Sequence, residues 1–296
     1  MDWINTIKST IAYIENNLYN EVSVDDIADS IGLSSFYLQK GFKLMTGYSI
    51  AEYIKNRRLY LSAVELVACG NKIIDIAYKY GYETPESFTK AFNRFHGFNP
   101  SKIKENVKNV KVFLPLKVTI VIEGGESMDY TIEKKDAIKF IGFVREFDVK
   151  TSYQDIPKFW DEINEKVMAP LQSRNFEPTN DIEKAVVDNT ICEFGICIED
   201  DVKRGGKFKY MIGGKYNGGA VPKGMELYEV PAYEWAIFKV VGPMPGALQS
   251  VNSKIYKEWL PSSEYSIATG VDIEWYSDGD TQDANYQSAI WIPIKK

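Results

Sequence analysis

The 296-residue sequence predicts an N-terminal all-α domain made of two helix-turn-helix units in series. An α+β domain follows, in which a β-α-β-β unit is duplicated to give antiparallel sheets and a ligand cleft. Two observations predict this. A single pattern occurs twice, 49 to 50 residues apart, as Asp26-Ile27-Ala28, Gly32, Leu38, Phe42, Thr46-Gly47 and as Asp75-Ile76-Ala77, Gly81, Phe88, Phe92, His96-Gly97. Beyond Lys111 the hydrophobic period changes from helical to largely alternating.

In each copy Ile-Ala supplies a buried stripe on a first helix, the glycine permits a turn with positive φ, and an apolar pair at i, i+4 seats a second helix. Ala51 to Cys69 reads as a long helix linking the copies. Such a tandem on a rigid link can place two recognition helices in successive major grooves on one face of DNA, roughly 34 Å apart. Helical phase puts Phe36, Tyr37, Lys40, Lys43 and Leu44 on one face of the first recognition helix, and Leu38, Phe42 and Met45 on the other. In the second, Glu86, Ser87, Lys90, Asn93 and Arg94 share a face opposite Phe88, Phe92 and Phe95. Thr84-Pro85 supplies an N-cap and an N1 proline. The outward groups suit phosphates and base edges, and taken singly they also suit a solvated helix face. Repetition favours the first reading.

Charge divides unevenly. Residues 1–110 hold thirteen Lys+Arg against twelve Asp+Glu, a formal +1, and the remainder carries a formal −7. A net +1 is a weak footprint for a DNA binder unless the basic groups cluster, as Lys40, Lys43, Lys90, Arg94, Lys102 and Lys104 do. No apolar run approaches a membrane span and the N-terminus lacks a signal-peptide core, so a soluble, cytoplasmic protein without membrane contact is expected. Three cysteines, Cys69, Cys192 and Cys197, do not make a disulfide framework. With one histidine in the chain no metal site is expected, and Cys192 and Cys197 read as buried thiols.

The domain boundary is placed so that residues 1–108 form the tandem helix-turn-helix domain and 109–296 the α+β domain. Lys117 to Glu123 and Met128 to Lys134 flank Gly124-Gly125 as a hairpin. The first module is a strand (Ile138 to Glu146), a helix (Asp155 to Gln172) and two strands (Thr190 to Glu199, Phe208 to Tyr216). The second is a strand (Tyr233 to Val241), a helix (Met244 to Leu260) and two strands (Val271 to Tyr276, Ser288 to Ile294). Both helices are expected on one sheet face, with a cleft on the other. The Gly213 to Gly224 stretch lacks the Gly-Lys-Ser/Thr ending of a phosphate loop and reads as a connection. In Val271 to Tyr276 alternation places Asp272, Glu274 and Tyr276 opposite Val271, Ile273 and Trp275. If the latter face packs on the helices, Glu274 points into the cleft, where a cationic or hydrogen-bonding guest would offset the cost of burying it; composition alone favours a surface glutamate on an edge strand.

Ser34 to Gly47 and Gly81 to Pro100 closely match the two signature segments of the AraC family, and residues from about Thr6 to Lys104 resemble its DNA-binding domain in the Rob, MarA and SoxS branch. The resemblance assigns base contacts to Phe36, Gln39 and Lys40 and to Glu86, Ser87 and Lys90, with Lys43 and Arg94 added from the exposed faces. Lysine stands at 40 and 90 where that branch commonly has arginine, which reduces a bidentate guanine contact to a single point. Glu86 would face DNA with a negative charge, accepting from cytosine or weakening that half-site.

Glu229 to Phe238, Glu258 to Pro261, Val271 to Tyr276 and Ile290 to Pro293 carry a second resemblance, of Asp136 to Lys295, to the GyrI-like ligand-binding domain found in Rob and BmrR. It implies that Glu274 sits in an aromatic-lined pocket for cationic, hydrophobic compounds, with Trp160, Tyr210, Trp235, Tyr276 and Trp291 as lining candidates. Trp235 stands where the family often has tyrosine.

Together these imply a transcription regulator that binds double-stranded promoter DNA as a monomer, acts as an activator through RNA polymerase and senses a small-molecule effector, without cofactor, metal or catalytic residues. Two other functions remain compatible with the residues. Some GyrI-like proteins hydrolyse cyclopropane-bearing toxins with a glutamate and a neighbouring tyrosine, a role open to Glu274; otherwise the domain would hold a protein partner and no small ligand.

Overall fold

The computed structural model describes residues 3–118, 128–199, 206–268 and 270–296. They divide into two compact units. One comprises residues 4–33 and 42–118, and the other Trp3, residues 34–41 and the described residues from 128 onward.

The first unit is helical. Its elements come from α1 (Trp3–Asn16), α2 (Val24–Ile31), the second half of α3 (Ser35–Thr46), α4 (Ile50–Cys69), α5 (Ile73–Lys79) and α6 (Pro85–His96). Ser23 caps α2 by accepting from the Asp26 amide at 3.0 Å. Gly32 and Gly81 hold φ of 66° and 80° at the two turns, a region a side chain would strain. The linking helix α4 matches its predicted span and is started by a reciprocal capping box between Ser49 and Glu52. Around α5 and α6 the core is Phe88, Phe92, Ile76 and Ala77 against Leu59, Ala63 and Leu66 of α4. Full burial of each phenylalanine contributes about 1.5–3 kcal/mol. Two polar devices were not foreseen. Arg57 forks onto Glu15 with both contacts at 2.8 Å while the Tyr53 hydroxyl donates to the same carboxylate at 2.7 Å. His96 lies buried between the Leu59 carbonyl and the Lys111 amide, and burial lowers its pKa.

The second unit is built on antiparallel strands: β1 (Tyr130–Lys135), β2 (Ile138–Asp148), β3 (Phe194–Ile198), β4 (Lys207–Lys215), β5 (Glu226–Val230), β6 (Tyr233–Val241), β7 (Ser266–Ile267), β8 (Val271–Tyr276) and β9 (Gln287–Lys295). They form one sheet in the order β1-β6-β9-β8-β3-β4-β2-β5, with β7 on β9. Helix α7 (Ser152–Ile163) continues through a π-helical turn into α8 (Ala169–Ser173), and α9 (Asp181–Asp188) follows. Likewise α10 (Gly246–Lys254) continues through a π-helical turn (Ile255–Trp259) into α11 (Leu260–Ser262). The duplication is plain in the pairing. The strands β2, β4 and β3 of one repeat mirror β6, β9 and β8 of the other, and the repeats meet at β3 and β8 with Ile196 opposite Ile273.

Several expectations need correction. Residues 119–127, which hold most of the predicted strand 117–123 and the Gly124-Gly125 turn, lie outside the described residues, whereas the predicted partner Met128 to Lys134 is observed as β1, paired with β6. Short elements α9, β5 and β7 were not anticipated, although Asn180 capping the Glu183 amide is a readable start for α9. Gly213 and Gly214 belong to β4, as the strand Phe208 to Tyr216 implied, so the connection begins only after Lys215; glycine is needed at both because a Cβ would strike the backbone of the neighbouring strand or loop. Cys192 is only partly buried, whereas Cys197 is buried. Most important, the sheet faces are reversed. Trp160 of α7 packs on Tyr276 at 5.1 Å, Phe159 on Phe147 at 5.8 Å, and Trp259 on Phe238 at 4.8 Å. The helices therefore cover the face of Glu274, while Val271, Ile273 and Trp275 cluster with Trp235, Trp291 and Phe194 on the other. A cavity of about 390 Å³ on that helix-free side is bordered by Phe194, Trp275 and Trp291. Alternation dictates that neighbours point apart, but not which side takes the helices.

The helical unit should lose about 3–5 kcal/mol of stability in Phe92→Ala, which opens a cavity between α4 and α6. Thr84→Ala removes only the cap on the Ser87 amide and should cost about 1 kcal/mol. Urea denaturation of both variants checks the ranking.

Candidate functional site

On the helix-covered face two carboxylates stand two residues apart on β8, Asp272 and Glu274. The Tyr210 hydroxyl of β4 donates to Glu274 Oε2 at 2.6 Å and the Tyr276 hydroxyl donates to the same oxygen at 2.9 Å. Trp160 Nε1 donates to the Tyr210 oxygen at 3.1 Å. Burial raises the Glu274 pKa, the Tyr210 hydrogen bond opposes that rise, and Asp272 reinforces it. Burial first, and then the Glu274 charge, raise both phenols well above the usual tyrosine range, so they remain donors. Oε2 thus accepts two hydrogen bonds, and among the described residues Oε1 accepts none.

Further residues come from both helices. Asn252 of α10 donates to the Tyr153 hydroxyl of α7 at 3.0 Å, and Tyr256 sits one turn beyond Asn252. The Tyr256 hydroxyl and Asn252 Oδ1 are buried and have no hydrogen-bond partner among the described residues. Asp272 pairs with Lys40, whose ammonium lies 5.7 Å from the centre of the Tyr256 ring. Burial works against the Lys40 charge, but Asp272 more than offsets it and holds the pKa well above the usual lysine range.

The structure brings Glu274, Trp160, Tyr210 and Tyr276 into contact with one another. It does not bring in Trp235 and Trp291, which face each other at 6.0 Å on the opposite side of the sheet with Ile273. The family-based choice of lining aromatics ignored strand parity, since Trp291 lies directly opposite Ile273 and must share its face. Missed residues were Asp272, Tyr153, Asn252, Tyr256 and Gly195. Parity with Glu274 marked Asp272, and the i, i+4 spacing of Asn252 and Tyr256 marked one helix face. Gly195 could be found only in three dimensions. It lies opposite Glu274, and a Cβ there would collide with the Tyr210 hydroxyl and come within 2.8 Å of Glu274 Oε2.

The proposed DNA-reading residues divide. Glu86, Ser87, Lys90 and Arg94 of α6 are exposed, on the face opposite buried Phe88 and Phe92. In α3, Phe36 and Tyr37 are buried at 4% and 1% exposure instead of facing outward, Gln39 is buried at 6%, and Lys40 and Lys43 are half-buried. Helical phase records the polarity of a face but not whether another part of the chain covers it.

A helical unit with an exposed, capped helix α6 and a duplicated sheet unit with a carboxylate held among aromatic side chains are the features of a DNA-binding regulator with a small-molecule domain. Comparison with known proteins agrees: residues 128–295 match the GyrI-like small molecule binding domain, and residues 27–106 match a helix-turn-helix domain. The chain belongs to the GyrI-like family, joined to an AraC-type helix-turn-helix domain, and is a transcription regulator. Among its relatives is the HTH-type transcriptional activator AarP of Providencia stuartii, 39% identical over 95 residues, which are 32% of this chain and 70% of AarP. The regulatory protein SoxS of Escherichia coli is 34% identical over 101 residues, 34% of this chain and 94% of SoxS. The transcriptional regulator Rob of Salmonella typhimurium is 36% identical over 101 residues, which span 34% of this chain and 35% of Rob.

Gly195→Ala should destabilise the sheet unit by about 1–3 kcal/mol through overpacking. Adding Tyr210→Phe, which removes the hydroxyl the new methyl strikes, should restore part of that loss. A double-mutant denaturation cycle measures the coupling.

Proposed function

We propose that this regulator is an activator controlled by a hydrophobic cation. Residues 1–108 bind double-stranded promoter DNA as a monomer in the cytoplasm, with Phe36, Gln39, Lys40 and Lys43 at one groove and Glu86, Ser87, Lys90 and Arg94 at the next. Two units in series span two grooves without a twofold axis, which supports the monomer. RNA polymerase is the partner through which binding becomes activation, in keeping with the activator name of AarP. Residues 109–296 hold the effector at Glu274.

One observation carries the cation reading: the Glu274 carboxylate is partly buried among Trp160, Tyr210 and Tyr276, with one oxygen that accepts no hydrogen bond among the described residues. Aromatic faces attract a cation and shed water, and a partly desolvated carboxylate favours it over a neutral guest of the same shape. The relatives carry the names of regulators, which favours sensing over the hydrolase reading of the same glutamate. Recovery of the ligand unchanged after prolonged incubation distinguishes the two.

Glu274→Gln should weaken phenyltrimethylammonium binding roughly ten- to a hundredfold, the equivalent of a charge-assisted contact of about 1.5–3 kcal/mol, and leave its neutral isostere tert-butylbenzene nearly unaffected. Equal losses in calorimetry would mean the carboxylate does not act as a charge. Because burial raises the Glu274 pKa, the cation requires the deprotonated form and its affinity should fall as pH drops, beginning above the usual carboxylate range; the Gln variant should lack this dependence. On the DNA side, Lys90→Ala and Arg94→Ala should each weaken binding and reduce the slope of log affinity against log salt by about 0.9. Titrations across salt that leave both slopes unchanged would reject the assignment of α6.

A further inference from the structure

Residues 34–41, the start of α3, belong to the same compact unit as the sheet. Their side chains are engaged there. Phe36 packs on Phe208 at 4.7 Å, and its amide donates to Glu199 Oε1 at 2.8 Å. The Tyr37 hydroxyl donates to the Val271 carbonyl at 3.1 Å. Gln39 lies against Gly206, where a Cβ would approach its amide group to 2.9 Å. Lys40 reaches Asp272, with its ammonium 5.6 Å from the Phe36 ring centre and 5.7 Å from that of Tyr256. Phe36, Gln39 and Lys40 are three of the four α3 positions assigned to DNA.

Lys40 presents an aliphatic stem ending in a positive charge, seated among aromatic rings on a carboxylate. Chemically it is a hydrophobic cation, the guest this site selects. We propose that Lys40 is a tethered occupant of the effector site, which withholds the DNA-reading start of α3 until a diffusible hydrophobic cation takes its place beside Asp272 and Glu274. The proposal rests on the cation reading given above and adds its regulation. Free cation and DNA both favour the state in which residues 34–41 are released, so each raises the other's affinity by the same factor. Asp272 is the latch, because a buried lysine that loses its carboxylate partner is left as an uncompensated charge and is driven toward water.

The test uses the full chain, first without any ligand. Asp272→Asn is assayed for binding to a duplex selected from a random-sequence pool with the wild-type protein, and should bind it roughly five- to a hundredfold more tightly than wild type. Tyr37→Phe, which removes only the hydrogen bond to Val271, should shift affinity the same way by less. Folded variants that both bind with unchanged or reduced affinity overturn the tether. If Asp272→Asn fails to fold, Tyr37→Phe decides. In a second arm, tetraphenylphosphonium is added to the wild-type protein while amide exchange is followed over residues 34–41. Faster exchange supports release, and unchanged or slower exchange despite calorimetric binding overturns it. Absence of any heat with this probe would strike at the cation reading instead, and the ligand-free DNA measurements then decide the tether alone.

Discussion

Two carboxylates on one strand face, beneath a pair of helices, set the terms for the rest of the effector unit. Asp272 and Glu274 are too close, and too poorly solvated, to be left without compensation. The fold meets this with different devices at the two positions. Glu274 is satisfied by neutral donors, the Tyr210 and Tyr276 hydroxyls, with Trp160 holding Tyr210 in line. Asp272 is paired through Oδ2 with the full charge of Lys40, while its Oδ1 is buried without a hydrogen-bond partner among the described residues. Neutral donors leave a carboxylate its charge and hence its appetite for a cation, whereas a lysine satisfies that appetite outright.

The same constraint explains features that otherwise look incidental. Gly195 lacks a side chain because the Tyr210 hydroxyl must cross above it to reach Glu274. The pseudo-twofold junction of β3 with β8 puts both carboxylates at the centre of the sheet, where helices from both repeats can supply Tyr153, Trp160, Asn252 and Tyr256. Duplicated modules tend to create sites at their seam, because neither copy alone can enclose one. Here the seam carries the charge.

The helical unit obeys simpler rules. Its turns depend on Gly32 and Gly81 in left-handed conformation, its spacing on the capped helix Ile50–Cys69, and its second half on the interlocked rings of Phe88 and Phe92. These are local or nearly local requirements, so they leave a trace at fixed positions along the chain. That is why the repeated pattern, the cap at Thr84-Pro85 and the exposed face of Pro85–His96 could all be read in advance.

The sequence by itself determined the tandem helical units, the two β-α-β-β repeats with most of their boundaries, and Glu274 with Trp160, Tyr210 and Tyr276 as candidate site residues. Each is encoded by periodicity, capping chemistry or a family motif, and these depend on neighbours within a few residues. Tertiary structure alone decided which sheet face the helices cover, and so excluded Trp235 and Trp291 from the surroundings of Glu274. It also decided that Lys40 meets Asp272, 232 residues away, and that Phe36, Tyr37 and Gln39 are covered. Alternation and helical phase are blind to this for one physical reason: they give the relative direction of side chains within an element, while burial and charge pairing depend on what the rest of the chain brings against it.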